Sequence, residues 1–397
     1  MNSPAPGLAH NIWKYVLFSI TSARIYTPVL ALYLLSFEDI TAATVGALAG
    51  AIFFTQFILE VPSGYFADRI GNKRTLVLAR ILFLVSSLCF FSGYTELFYA
   101  AAILFGAGLS LISGTLTAFM NDTLRDLGKS AQYSEIIGKA QSYFLVVSAG
   151  LLISTPFFFT LEPSLPFLIA VGLDVIGLIV ALSFVSPTQQ KDVAPLSVSG
   201  ILAIVKEAHQ KQLVFIMLFL ASLSGFILGL RTFQDAYLAE VGVTIMYLGL
   251  LFASAKLISA LLLRTPLHKL KDLLSFEQFA WLSLAVLLLI ALPLGLSSNV
   301  ALLSVGFVGI FGVYWSLAPM YSHYQLERIG SSSHTATLLS FTSLAGSLAL
   351  AATSFAIGLS VEWYQYQTGH FYYLLGGTGL LVLLLLAERI RKMLVSS

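Results

Sequence analysis

Charge is what this 397-residue chain has least of: 10% of its residues are Asp, Glu, Lys or Arg, while 58% are hydrophobic. A water-soluble domain carries roughly a quarter charged residues, so that class is excluded. Cysteine is nearly absent as well, and Cys89, standing alone, rules out an internal disulfide. There is no HExxH, no paired CxxC, no P-loop and no glycine-rich loop after a strand. Zinc hydrolysis, redox exchange and nucleotide-driven pumping therefore lack their usual residues. The chain is read as no enzyme, with no cofactor, no metal and no nucleic-acid partner.

What the chain has is apolar length. Twelve stretches fall at about 12–36, 43–65, 75–94, 97–121, 136–159, 165–185, 212–237, 244–264, 274–295, 299–323, 335–360 and 371–388. A hydrocarbon core of roughly 30 Å takes about 20 helical residues to cross. Lipid offers no partners to unpaired backbone groups, so each stretch must be a helix. The first is too long for a signal-peptide core and is read as a span. The expected fold is an all-α polytopic membrane protein of twelve transmembrane helices, in two pseudo-symmetric six-helix bundles. Their expected limits are 1–186 and 212–397, joined by a polar cytoplasmic linker over 187–211.

The basic residues fix an orientation. With both termini cytoplasmic, inner segments hold 18 of the 21 Lys and Arg residues, among them Lys14, Arg69, Lys73, Arg74, Arg80, Arg125, Lys139 and Arg328. The outer connections hold none, as the positive-inside rule requires. Arg24, Arg231 and Lys256 fall within spans. The halves also repeat: Asn121-Asp-Thr-Leu-Arg-Asp-Leu-Gly-Lys-Ser130 aligns with His323-Tyr-Gln-Leu-Glu-Arg-Ile-Gly-Ser-Ser332. Parallel repeats of this kind imply a cavity at their interface and alternate exposure by rocking.

Between the second and third spans runs Gly64-Tyr-Phe-Ala-Asp68-Arg69-Ile-Gly71-Asn72-Lys73-Arg74, preceded by Glu60-Val-Pro62-Ser63. This resembles the signature loop of the major facilitator superfamily, with Asn72 where a basic residue is common. The resemblance implies a twelve-helix secondary transporter whose loop (Gly64, Asp68, Arg69, Gly71, Lys73, Arg74) latches the cytoplasmic side. Asp122 and Arg125 are expected to support that gate. Two marks of the family's drug-proton antiporters are missing: an arginine in the fourth span and a glycine-proline pair in the fifth. That subclass is not supported.

Intramembrane charges cost roughly 2.5–3.5 kcal/mol each at a helix centre, so each implies a partner or a role. Arg24 lies roughly 15 Å deeper than Lys14 by helix rise, at about the depth of Glu60. Arg24 is read either as an ion-pair partner of Glu60 or as an anchor for an anionic substrate group, released when Glu60 is protonated. Lys256 is a second midspan cation, with Asp174 as a candidate partner. Arg231 and Asp235 share a helix face and suggest a local salt bridge or outer gate. Glu60, Asp174 and Asp235 are the candidate proton-coupling groups.

In the resembled family spans one, four, seven and ten line the cavity. Here they offer Tyr26, Tyr33, Phe119, Phe233, Tyr237, Phe311, Tyr314, Trp315 and Tyr321, aromatic faces that suit an amphipathic molecule. The substrate site is expected at Arg24, Tyr26, Tyr33, Phe119, Tyr237, Lys256, Phe311, Tyr314 and Trp315. Function is read as alternating-access transport of a small organic solute across the cytoplasmic membrane, by a monomer, with proton-coupled efflux of a drug or metabolite leading. A nutrient or siderophore importer is the alternative within transport, and a non-transporting receptor the alternative outside it.

Overall fold

The computed structural model describes residues 7–188, 213–330 and 335–396, and among them every regular element is a helix. The expected linker lies outside the described residues except for 187 and 188. Cα proximity divides the chain into two compact units, Met1–Tyr33 with Ala51–Pro195 and Leu34–Gly50 with Leu196–Ser397.

In the first unit, α1 (Asn11–Ile20) and the short α2 (Leu30–Leu35) replace the single first span expected at 12–36. Residues 21–26 are not helical, and a 3-10 turn over Thr27–Val29 carries Pro28, which has no N–H to donate. Unwound backbone in a membrane survives only where its polar groups find partners. Arg80 donates to the Thr21 carbonyl at 3.1 Å, to the Phe18 carbonyl and to Ser22 Oγ at 2.6 Å. Thr155 Oγ1 donates to the Ile25 carbonyl at 2.6 Å. Side chains from other spans thus take the place of the missing helical bonds.

The chain continues through α3 (Ala42–Ile70), which enters the first unit at Ala51, then α4 (Asn72–Phe91), α5 (Phe98–Ile112), α6 (Thr115–Asp126), α7 (Tyr133–Leu161) and α8 (Leu165–Ser183). Helix α4 packs against α5 and α8, and α1 against α7. The fourth span is broken between α5 and α6, where Gly114 takes φ 73°, a left-handed conformation open to glycine.

The second unit holds α9 (Leu213–Gly229), α10 (Gln234–Glu240), α11 (Ile245–Leu263), α12 (Phe276–Leu296), α13 (Val300–Ile329) and α14 (Thr335–Ser396). Local chemistry sets several starts. Ser275 and Gln278 form a reciprocal cap on α12. Asn299 Oδ1 accepts from the Ala301 and Leu302 amides at 3.0 and 3.1 Å to start α13. Pro319 lies inside α13 without ending it. Helix α14 doubles back at Gln365, φ 62°. Gly369 lies against the Ser360 carbonyl, although a straight helix would separate residues nine apart by about 13.5 Å.

Among the described residues ten helices are long and apolar enough to cross a membrane, rather than twelve continuous ones. The difference has two causes, the unwound first span and the uninterrupted assignment across the turn at Gln365. Residues 34–50 join the second unit through small side chains. A Cβ on Gly46 would sit 2.7 Å from Gly358 Cα, and one on Gly50 3.1 Å from the Ala351 carbonyl. The Gly46-Ala-Leu-Ala-Gly50 spacing suits such backbone contact, since small residues four apart form one flat stripe. Glu362 accepts from the Ala43 amide at 3.2 Å at the start of α3.

The units carry matching bonds. Tyr33 donates to the Phe90 carbonyl at 2.8 Å and Tyr237 to the Leu294 carbonyl at 2.9 Å, each across 57 residues. Asn72 reaches Asp122 at 3.4 Å and Tyr324 reaches the Leu274 carbonyl at 2.8 Å, each across 50 residues.

Candidate functional site

The strongest concentration of charge inside the first unit centres on Asp174 of α8, which is fully buried. Arg24 Nη1 donates to both of its oxygens, at 3.0 and 2.8 Å. Ser87 Oγ of α4 donates to Oδ2 at 2.7 Å, and Arg80 Nη1 stands 3.5 Å from Oδ1. Arg24 also lies 4.4 Å from the Phe83 ring centroid and 5.1 Å from that of Phe105, and Arg80 lies 3.9 Å from Phe18. Such faces partly compensate a desolvated cation. Two arginines thus share one carboxylate, leaving a surplus positive charge. Arg24, 12% exposed at its side chain, is the accessible end of the cluster, and its Nη2 is buried without a hydrogen-bond partner.

This corrects the expected pairing of Arg24 with Glu60. Helix rise sets depth but not direction around the axis, and the unwinding at 21–26 turns Arg24 toward α8. Asp174 in turn is occupied by Arg24, Arg80 and Ser87, so the suggested Lys256–Asp174 pair is not formed. Arg80 was placed with the inner basic residues, whereas it is the ninth residue of α4 and wholly buried. Its distance from Arg74, six residues or about 9 Å of rise, was the available signal. Gly177 makes room for it: a Cβ there would fall 2.8 Å from both Arg80 Cζ and Thr21 Oγ1.

Glu60, half-buried on α3, accepts from Ser113 Oγ at 2.7 Å, and its other oxygen is buried without a partner. Ser63 Oγ bridges the carbonyls of Glu60 and Ser110 at 2.9 and 3.0 Å. Ten residues on, α3 ends at Ile70 and Gly71 makes the turn into α4 at φ 96°. Gly64, Asp68, Arg69 and Arg74 are exposed, Lys73 is half-buried, and a Cβ on Gly64 would meet nothing within 4 Å. Asp122 pairs with Arg125 at 2.8 Å, and Arg125 donates to the Thr188 carbonyl at 2.7 Å. Asn72, the departure from the family pattern, is what ties the loop to Asp122.

Most of the aromatic candidates are packed within their own units. Tyr26 stacks on Phe167 at 4.7 Å, and Phe119 sits among Phe18, Leu76 and Phe184. Tyr33, Tyr237 and Phe311 are likewise buried. In the second unit Tyr314, Trp315 and Lys256 remain half-buried. Arg231 lies 5.6 Å from the Phe252 centroid and 5.9 Å from that of Trp315, with its Nε buried and unpartnered. It is near enough to Lys256 for the two cations to repel. Asp235 is buried on α10. His370 went unnoticed in the sequence: it is buried on α14, bonded through Nδ1 to the Tyr366 carbonyl at 2.7 Å and packed on Tyr237 at 4.5 Å. Among the described residues no group of three His, Cys, Asp or Glu side chains could hold a metal ion.

A multi-helix membrane fold with a repeated pair of tyrosine-to-carbonyl bonds and an ionic cluster inside one unit defines a class of membrane carrier. The Major Facilitator Superfamily model matches residues 15–354, and the chain belongs to that family. Among curated proteins it is 32% identical over 130 residues to Multidrug resistance protein 2 of Bacillus subtilis (strain 168), covering 30% of this chain and 32% of that one. It is 28% identical over 149 residues to the uncharacterized MFS-type transporter YxaM of the same organism, covering 36% and 35%. The chain thus matches about a third of the length of these curated relatives. Among solved structures, nucleoside transporter NupG superposes with a TM-score of 0.78 at 13% identity, covering 95% of this chain and 97% of that one. A bacterial homolog of the human lysosomal transporter Spinster, inward-facing and unoccupied, gives 0.74 at 16%, covering 97% and 98%. These establish an all-α, multi-pass membrane transporter fold.

Proposed function

We propose that the chain is a secondary transporter that expels an amphipathic organic anion across the cytoplasmic membrane by alternating access, driven by the proton gradient. The observation that carries the substrate class is the surplus charge around Asp174, with Arg24 as its accessible end. A guanidinium in a low-dielectric setting with a spare donor suits a carboxylate, sulfonate or phosphate group. Arg231, over the Phe252 and Trp315 rings, and Lys256 supply the same chemistry in the second unit. Efflux is favoured by the partial identity to a multidrug resistance protein. The one-sided distribution of Lys and Arg supports cytoplasmic termini and a cytoplasmic Asp68–Arg74 latch. The repeated tyrosine bonds support two six-helix repeats over 1–186 and 212–397. The transporting unit is a monomer.

Purified protein in liposomes under an imposed pH gradient tests this reading, with fluorescein as anionic and ethidium as cationic probe. The expected result is gradient-driven accumulation of fluorescein, reduced about 10- to 100-fold in Arg24→Ala, since hydrogen bonds to charged groups are worth about 1.5–3 kcal/mol. Normal fluorescein transport by a monodisperse Arg24→Ala protein, or accumulation of ethidium alone, overturns the anionic reading.

A further inference from the structure

We infer that Glu60 is the carboxyl that binds and releases the coupling proton, and that the break in the fourth span at Ser113–Gly114 reads its charge. The inference rests on the proton-driven reading above and selects among its three acidic candidates.

Both oxygens of Asp174 already accept from Arg24, and Oδ2 accepts from Ser87 as well. A proton on Asp174 would have to displace one of these donors and would leave two buried guanidinium groups without a counter-charge, an arrangement that folded membrane proteins avoid. Asp235 lies one helical turn beyond Arg231, another cation. Glu60 differs from both. Among the described residues its only side-chain partner is a neutral hydroxyl, Ser113 Oγ on Oε1, and Oε2 is buried with no donor. Among the described residues no Lys, Arg or His comes within 4.0 Å of it.

The group that meets it from the broken fourth span is Ser113, and Ser63 links the Glu60 carbonyl to that of Ser110. The nearest charged residue along that span is Asp122, nine residues or about 13 Å beyond Ser113. On its own helix the next charge is Asp68, two turns away and exposed. A carboxylate with one bare, buried oxygen carries charge that nothing local balances; one proton on Oε2 removes that charge without disturbing any existing bond.

The neighbouring backbone supplies the reader. Ser113 ends α5 at φ −55° and ψ 124°, and Gly114 starts α6 at φ 73°. The Ser113 hydroxyl therefore ties a carboxylate on α3 to the one non-helical joint of the fourth span. Its bond to ionised Glu60 is charge-assisted and weakens when Glu60 is neutral. The proton goes to Oε2, the carboxylate becomes a carboxylic acid, and the hydroxyl's hold on the joint loosens. Helix α6, which carries Asp122 and Arg125 at its far end, then swings on Gly114. No other change of bonding is required.

Infrared difference spectra of the full-length protein in detergent, titrated from about pH 5 to pH 9, test proton binding without any transported probe. The expected result is a carboxylic C=O band that titrates in the wild-type protein, is absent in Glu60→Gln, shifts position in Glu60→Asp and remains in Asp235→Asn. Ser113→Ala should keep the band and move its titration midpoint about tenfold in proton affinity, the effect of one lost hydrogen bond to a charged group. In liposomes, Glu60→Gln should abolish accumulation of fluorescein by the pH gradient while retaining fluorescein exchange at equal pH. A band that survives in Glu60→Gln, or gradient-driven accumulation by that variant, overturns the assignment. Should the wild-type protein move neither fluorescein nor ethidium under a proton gradient while the band vanishes in Glu60→Gln, the transport reading fails and the proton site stands.

Discussion

The two units solve one packing problem with different interiors. In each, a tyrosine near the end of the first or seventh span donates to a carbonyl 57 residues on, which ties the ends of two helices together. Inside the first unit α4 and α8 contribute ions, Arg80 and Asp174, with Arg24 completing the cluster. Inside the second, α12 offers Ser283, which is paired with the Tyr321 hydroxyl of α13. Helix α14 adds His370 against Tyr237 and Phe307. In these places the second unit has a hydroxyl pair and an aromatic cluster. The ionic cluster is therefore not what this architecture needs for packing, and buried ion pairs often stabilise no better than an apolar replacement of the same volume.

That contrast can be broken experimentally, most strongly at Asp174. Asp174→Asn leaves two buried arginines facing a neutral amide and should destabilise the first unit by about 3–5 kcal/mol. Thermal unfolding in detergent measures this, and an unchanged midpoint would mean that the arginines are solvated. Next in size is Gly46→Leu, which forces a side chain into the contact with Gly358 and Ser354 and should cost about 1–3 kcal/mol by overpacking. The same unfolding assay reports it, with Gly64→Leu, where the space is open, as the control expected to be neutral. The smallest effect sharpens the comparison. Tyr33→Phe and Tyr237→Phe should each lose about 1 kcal/mol, and by similar amounts, because each removes one buried hydrogen bond to a carbonyl. Unequal losses, read from the same melts, would show that the two bonds match in geometry but not in environment.

Several of these features were legible before any coordinates. Apolar run lengths placed nine helices within about six residues of their observed limits, because a bilayer demands continuous apolar surface and internal backbone bonding. Tyr33 and Tyr237 were legible as aromatics of the first and seventh spans, although their hydroxyls prove to be bound to carbonyls. The glycine turn at Gly71 was visible in the loop motif. The break in the first span was not, since residues 21–26 contain no glycine and unwind only because Arg80 and Thr155, distant in sequence, satisfy their carbonyls. Asn72 looked like a weakened signature and is the residue that reaches Asp122. Arg80 looked like one more inner basic residue because a positive charge near a helix end is usually snorkelling toward water.

Composition and run length by themselves determined that the chain crosses a membrane as helices and that Arg24, Arg231 and Lys256 fall within spans. These are consequences of solvent, and solvent acts on each segment separately. Which charges meet was decided only in three dimensions. Arg24 could have reached any acid at its level; the unwound backbone delivers it to Asp174, and the gap at Gly177 admits Arg80 beside it. That leaves Glu60 with a serine and one bare oxygen, because partner choice depends on azimuth and packing, which no linear spacing encodes.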